Sequence, residues 1–184
     1  MLPLHTARLL LRRFTDTDQD AIVAYRNDPE VARYQSWTHC TSADARFLIA
    51  ENKELPFGMP DEWIQVAIAL RSTNEIIGDL AVKIHGYSAS QAVLGFTIAR
   101  RHQRQGYARE AVSAMLDLLF LELNLHRASA DCDPRNLASW GLMVALGMQR
   151  EAHFRRSHWF KGEWADEYVY GILREEWAAQ RPLR

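Results

Sequence analysis

Gln103, Arg104, Gln105, Gly106, Tyr107 and Ala108 form a short run in which a glycine and an alanine stand two apart, with Arg100, Arg101, His102 and Arg109 close on either side. Such a run suits one kind of chemistry, the holding of phosphate oxygens. Glycine lets the backbone approach a ligand closely, alanine keeps the next turn small, and arginine supplies forked donors to an anion. The run has this meaning only if it opens a helix, because the first-turn N–H groups then lack intrahelical partners and carry the positive end of the macrodipole. A lone Gly-x-Ala is equally an ordinary strand-to-helix turn with a solvated basic face.

The flanking elements place the run where a cradle needs it. Ala92 to Ala99 is rich in β-branched and aromatic residues, as a buried strand is. Ala108, Val112, Met115 and Leu119 then recur at helical spacing, with Arg109, Glu110 and Asp117 off that face. No Gly-x-x-x-x-Gly-Lys-Ser/Thr run and no full Gly-x-Gly-x-x-Gly occurs, so nucleotide-triphosphate and dinucleotide sites lack their motif residues.

With Gln/Arg-x-x-Gly-x-Gly/Ala between a strand and a helix, the chain resembles the GNAT superfamily of N-acetyltransferases, whose pyrophosphate loop for acetyl-CoA has this pattern. Asp131 to Ser139, followed by Ala145-Leu146-Gly147-Met148, resembles the family's Asn-x-x-Ser and Leu-Gly-Phe region. Thr6-Ala7-Arg8-Leu9-Leu10-Leu11-Arg12 and the stretch from Phe160 to Leu173, with Glu176 and Trp177 after it, are similar to the first strand and closing hairpin of the ribosomal-protein N-terminal acetyltransferase-like branch. The resemblance spans nearly the whole chain.

It implies that Gln103, Arg104, Gln105, Gly106, Tyr107, Ala108 and Arg109 hold the pyrophosphate. Backbone groups of Phe96, Thr97 and Ile98 are expected to pair with the pantetheine amides, inside a gap between two splayed parallel strands. Asn136 would contact the pantetheine arm and Ser139 would lie near the thioester sulfur. Read locally, Asn136 is also a good helix N-cap and Ser139 a first-turn residue, which alone would account for both. Many relatives carry a tyrosine four residues before the glycine of Leu-Gly-Phe as proton donor to the leaving thiolate; here that residue is Met143, which cannot donate. Ser139 is the substitute expected here.

The implied reaction is direct attack of a primary amine, a protein N-terminal α-amine or a small-molecule amine, on acetyl-CoA. It needs a base, because an ammonium has no lone pair. The base is not identified by the sequence: Asp131, Glu62, Asp79 and Glu167 are candidates by position, and each reads equally as a solvated or structural charge. Tyr34, Trp37, Phe57, Trp63, Trp159, Trp164, Tyr168 and Tyr170 are expected either to line an acceptor cleft or to pack the core. Glu51, Glu54, Asp61 and Glu62 put acidic charge around the loop from Pro56 to Pro60, attractive to a cationic amine or simply solvated. The missing tyrosine keeps open a second class of function, a catalytically inactive acyl-CoA-binding sensor or interaction domain.

Composition narrows the classes further. A chain of 184 residues is in the range of one domain, here 1–184. A net charge of −1 argues against nucleic acid as the main partner. The amino terminus lacks a charged segment followed by a long apolar core, and no run has the roughly 18 apolar residues that span a bilayer, so no membrane partner and a cytoplasmic location are expected. Two cysteines are too few for a disulfide framework, and Cys132 reads as a small buried thiol. The seven histidines show no metal spacing. His153 and His158, five apart on a strand, face opposite sides of the sheet, so no metal is expected.

Pattern and turn signals give strands at about 8–14, 63–70, 75–85, 92–99, 127–133, 148–159 and 163–173, and helices at about 16–27, 30–34, 42–55, 108–119 and 136–146. This is an α+β fold with a mixed, mostly antiparallel sheet of six to seven strands, flanked by about four principal helices. The strand ending near Ala99 and the strand starting near Arg127 should be parallel neighbours, since a helix crosses between them. The exposed edge of the closing hairpin offers a surface for a homodimer.

Overall fold

The computed structural model describes residues 1–86 and 90–180. Eight strands form one sheet: β1 (Leu4–His5), β2 (Leu9–Arg12), β3 (Ile64–Leu70), β4 (Ile76–Ile84), β5 (Gln91–Ile98), β6 (Arg127–Cys132), β7 (Gln149–Phe160) and β8 (Glu163–Leu173), in the order β1-β2-β3-β4-β5-β6-β8-β7. The strand beyond the expected six to seven is β1, whose two residues are too short to show an alternating pattern. Among the described residues six α-helices accompany the sheet: α1 (Gln19–Arg26), α2 (Pro29–Ala32), α3 (Ser42–Glu54), α4 (Tyr107–Asp117), α5 (Leu137–Ala145) and α6 (Arg174–Ala179). The last was not expected; its six residues directly continue β8, and Trp177 fixes it by donating from Nε1 to Asp117 at 3.0 Å.

Helix starts follow local chemistry. Thr41 and Asp44 cap α3 reciprocally, and Asp28 accepts from the Glu30 N–H with Pro29 at the first position of α2. Alternation along the strands then decides which residues meet which helices. Ile64, Val66, Leu80, Val82, Ala92 and Leu94 join Val112, Met115 and Leu116 of α4 in the larger apolar core. Ala67 belongs to a second core, with Ile22 and Tyr25 of α1 and Leu48 and Ile49 of α3, on the opposite face. Its register partner Asp79 lies on that face too, as does Thr97 beside Asp79 on β5.

One irregularity matters for function. β5 and β6 run parallel but pair only over Gln91–Val93 with Arg127–Ser129. Beyond that, β5 stays registered with β4 as far as Ile98, and β6 with β8 as far as Cys132. Each strand is held by its own antiparallel neighbour, and sheet twist carries the two pairs apart. The result is a wedge-shaped gap between Leu94–Ile98 and Ala130–Cys132, open at the ends that lead into α4 and α5.

Candidate active site

The loop from Gln103 to Ala108 lies at the mouth of this gap. Arg104 and Gly106 both have positive φ, 59° and 82°, so the chain makes two left-handed turns within three residues before entering α4. Glycine is suited to the second, and a Cβ there would also come within 3.3 Å of the Arg8 guanidinium. Among the described residues, the N–H groups of Gln105, Gly106, Tyr107 and Ala108 have no backbone acceptor. Donors left open at a helix N-terminus are what an anion binds.

Loop side chains divide their work. Gln103 donates to the Ile98 carbonyl at 2.9 Å, and Gln105 to the Arg101 carbonyl at 2.9 Å, so both amides brace the loop. The Ile98 carbonyl, one of the backbone groups expected to meet the pantetheine amides, thus already accepts one donor from within the chain. Arg101 pairs with Glu75, whereas Arg104 and Arg109 are exposed and have no ion-pair partner among the described residues. His102 packs edge-on to Tyr107, and burial, helped by the charge on Arg101, pushes its pKa down.

Across the gap, Asn136 caps α5 and accepts from the Ser139 N–H at 3.2 Å. The Ser139 hydroxyl lies against the Cys132 thiol; burial pushes that thiol up to about 11, against the hydrogen bond from Ser139. Met143 is fully buried in the larger core, as a residue with nothing to donate should be.

The base candidates separate by face and by end of the sheet. Asp79 is buried, accepts from the Tyr25 hydroxyl and pairs with Arg26 at 3.3 Å, so its carboxylate is committed to structure. The same arrangement raises the Tyr25 pKa, through burial first and the Asp79 charge second. Glu62 is exposed just before Ile64, whose register partner is Val82, at the end of the sheet where the gap is closed. Asp131 and Glu167 remain. They share the α1–α3 face because Asp131 registers with Val169, two residues from Glu167. Burial raises both carboxyls, the Asp131 charge raises Glu167 further, and His158 draws both down. Asp131 is nevertheless solvent-exposed at the end of β6, so neighbouring atoms crowd its carboxyl without enclosing it. No three His, Cys, Asp or Glu side chains among the described residues converge closely enough to hold a metal ion.

That face is roofed. Lys161, at the tip of the β7–β8 hairpin, donates to the carbonyls of Ala32 (2.6 Å) and Trp37 (2.8 Å). The Tyr34 hydroxyl donates to the Arg135 carbonyl at 3.3 Å, and Arg135 pairs with Asp133 and Glu163. The segment between α2 and α3 thus forms a strap from the hairpin tip to the loop before α5, anchored below by Trp37 stacked 4.2 Å from the Arg26 guanidinium.

The aromatics read as cleft or core divide: Tyr34 and Trp37 belong to the strap, and the others lie elsewhere. Tyr168 and Tyr170 face the other way: Tyr168 registers with Cys132, and Tyr170 is buried in the larger core. Trp159 and Trp164 stack edge-on at the exposed hairpin tip, and Trp63 lies beside Lys83. Phe57 belongs to a separate groove of about 530 Å³ with Met1, Leu2, Pro3 and Leu10. Its arginines are occupied, Arg12 by Asp18 and Arg13 by the Asn52 carbonyl, so it brings no chemistry of its own. The sequence pattern weighed His158 only as a metal ligand and did not single out Lys161 or the strap, because register and long-range contacts create their roles.

The arrangement has counterparts. Residues 8–149 match the family model described as Acetyltransferase (GNAT) domain. The chain is 35% identical over 173 residues to the uncharacterized N-acetyltransferase YnaD of Bacillus subtilis, covering 94% of this chain and 97% of that protein. It is 26% identical over 88 residues to the ribosomal protein uS5-alanine N-acetyltransferase of Escherichia coli, 48% of this chain and 45% of that protein. The crystal structure of a GNAT-family acetyltransferase from Bacillus anthracis superposes with a TM-score of 0.83 at 30% identity, over 95% of this chain and 99% of that one.

Proposed function

The chain belongs to the GNAT acetyltransferase family, and on that premise we propose that residues 1–184 act as one N-acetyltransferase domain, moving an acetyl group from acetyl-CoA to a primary amine. The observation that carries this reading is the conjunction of open N–H donors at Gln105–Ala108 with the gap between β5 and β6. The loop suits the pyrophosphate, with Arg104 and Arg109 as free cations. The gap suits the pantetheine arm, passing Phe96 and Thr97 on one side and Asn136 on the other.

The two faces of the gap then divide the chemistry. The amine enters from the α1–α3 face and gives a proton to Glu167, whose raised pKa suits a base. The neutral nitrogen attacks the thioester carbon. The oxyanion of the tetrahedral intermediate is met by N–H groups at the strand edge. On collapse the C–S bond breaks and the nitrogen loses its second proton to solvent. The thiolate leaves toward the N-terminus of α5, where Ser139 supplies a hydrogen bond and the helix dipole favours negative charge.

The acceptor is a protein N-terminal α-amine or a small-molecule amine. The similarity to a protein whose name places its action on an alanine of ribosomal protein uS5 supports including protein amines. Release of CoA thiol from acetyl-CoA, across a panel of short peptides with free N-termini and small amines, tests the reading. Acceptor-dependent release is expected; tight CoA binding with no such release for any amine would make the chain a binding module instead.

A further inference from the structure

The N-terminal turn of the chain reaches the pyrophosphate loop. Thr6 to Arg8 connects β1 to β2, closed by the Thr6 N–H to the Leu9 carbonyl and the Leu9 N–H to the Thr6 hydroxyl, each at 2.9 Å. From this turn Arg8 makes a fork: Nε donates to Glu110 at 2.7 Å and Nη1 to the Gln105 carbonyl at 2.9 Å, while Cζ lies 4.4 Å from the Tyr107 ring centre. Thr6 donates its hydroxyl to the other oxygen of Glu110, which also accepts from the Arg8 N–H at 2.8 Å.

Glu110 is the reason for this effort. It stands in the first turn of α4, where a carboxylate is drawn to the positive helix end and would compete with, and repel, a bound anion. Here both oxygens are engaged away from the loop. Burial raises the Glu110 pKa, but the bonds from Thr6 and Arg8 outweigh it and hold the group ionised. Its charge therefore has to be neutralised by a neighbour and not by a proton.

We propose that Arg8 and Thr6 are positioning residues of the donor site: they sequester the Glu110 carboxylate and fix the Gln105 carbonyl, so that the loop presents its N–H groups to a pyrophosphate. The inference rests on reading this loop as the acetyl-CoA site.

The test measures CoA affinity calorimetrically, and compares kcat/KM for acetyl-CoA with that for S-acetylpantetheine, which has no pyrophosphate. Arg8→Met should weaken CoA binding on the order of tenfold, the scale of one uncompensated charge beside an anion. The preference for acetyl-CoA over S-acetylpantetheine should fall by a similar factor. Adding Glu110→Gln to Arg8→Met should restore CoA affinity to within about threefold of wild type, because the liberated charge is gone. Glu110→Gln alone should bind CoA at least as well as wild type, and Arg8→Lys, which cannot span both partners, should fall in between. Wild-type affinity in Arg8→Met, equal losses with both donors, or no recovery in the double variant would each overturn the inference. Wild-type protein that binds no CoA would instead remove the donor-site reading, and this inference with it.

Discussion

Glu167 stands one diagonal step from Asp131 across the β6–β8 pair, and His158 lies within electrostatic reach of both. Their shared face makes two like charges compete for one proton at the mouth of the gap. Burial and the Asp131 charge raise the Glu167 pKa above its ordinary 4.5.

As a base Glu167 must be deprotonated, so kcat/KM should fall as pH drops through this raised value, placing the acid limb above that of an ordinary glutamate. Glu167→Gln should lower kcat/KM about 100-fold or more, the usual contribution of a general base, and abolish the limb. A pH profile of both proteins checks this; an unchanged limb in the variant assigns the proton to another group.

Ser139 meets the gap from the opposite face, with its hydroxyl against Cys132. Ser139→Ala should lower kcat roughly tenfold while CoA affinity stays within about twofold, since a hydrogen bond to a leaving thiolate acts only as charge develops. Burst kinetics with a good acceptor read the step directly. Unaltered kcat would leave thiolate stabilisation to the helix N-terminus alone.

The loop and helix starts proposed to hold the donor were legible because their signals are local. Gly106 and Ala108, like Asn136 and Ser139, lie within single strand-loop-helix units whose geometry their own residue types dictate. The acceptor half was not, because it depends on register. Whether Tyr168 or Glu167 lies on the face where the amine is proposed to enter is a question of parity on β8, decided by its pairing with β6. β7 adds irregularities near Arg150/Ala152 and Phe154/His158 that alternation cannot foresee. The Arg8–Glu110 contact joins residues 102 apart in sequence. Each reads alone as an exposed surface charge.

The buried pair under the first helix predicts acid sensitivity. Asp18 is 4% exposed, accepts both η nitrogens of Arg12 at 2.7 and 2.9 Å, and takes the Thr15 N–H at 2.7 Å. Burial alone would raise its pKa, but Arg12 and Thr15 outweigh it and hold the folded value below 3.8. A carboxylate with a depressed folded pKa contributes stability that is full above its unfolded pKa and is lost as pH falls through the folded one. Asp18→Ala should cost about 3 kcal/mol at neutral pH by leaving Arg12 unpaired. Asp18→Asn should cost less and flatten the stability curve below about pH 4. Urea unfolding between pH 2 and 7 gives both numbers; a parallel acid decline in wild type and Asp18→Asn would assign the sensitivity to other carboxylates.

Lys161 tests whether the strap selects the acceptor. Its ammonium links the hairpin directly to the end of α2 and the segment that follows, through the carbonyls of Ala32 and Trp37, on the face where the amine is proposed to enter. Burial lowers its pKa, while two carbonyl acceptors favour the charged form. Lys161→Met keeps the stem and removes the donors, so the strap should loosen while both cores stay intact. An acceptor held between strap and sheet would then bind less tightly: its KM should rise roughly tenfold, the value of two hydrogen bonds from a charged group discounted for exposure. CoA affinity should hold within about twofold, because the Lys161 hydrogen bonds among the described residues go to Ala32 and Trp37 and none goes to the loop at 103–108. Steady-state kinetics with the acceptor varied at saturating acetyl-CoA separates the two sites. Equal changes in both constants would mean that the strap supports the whole fold and does not gate the amine.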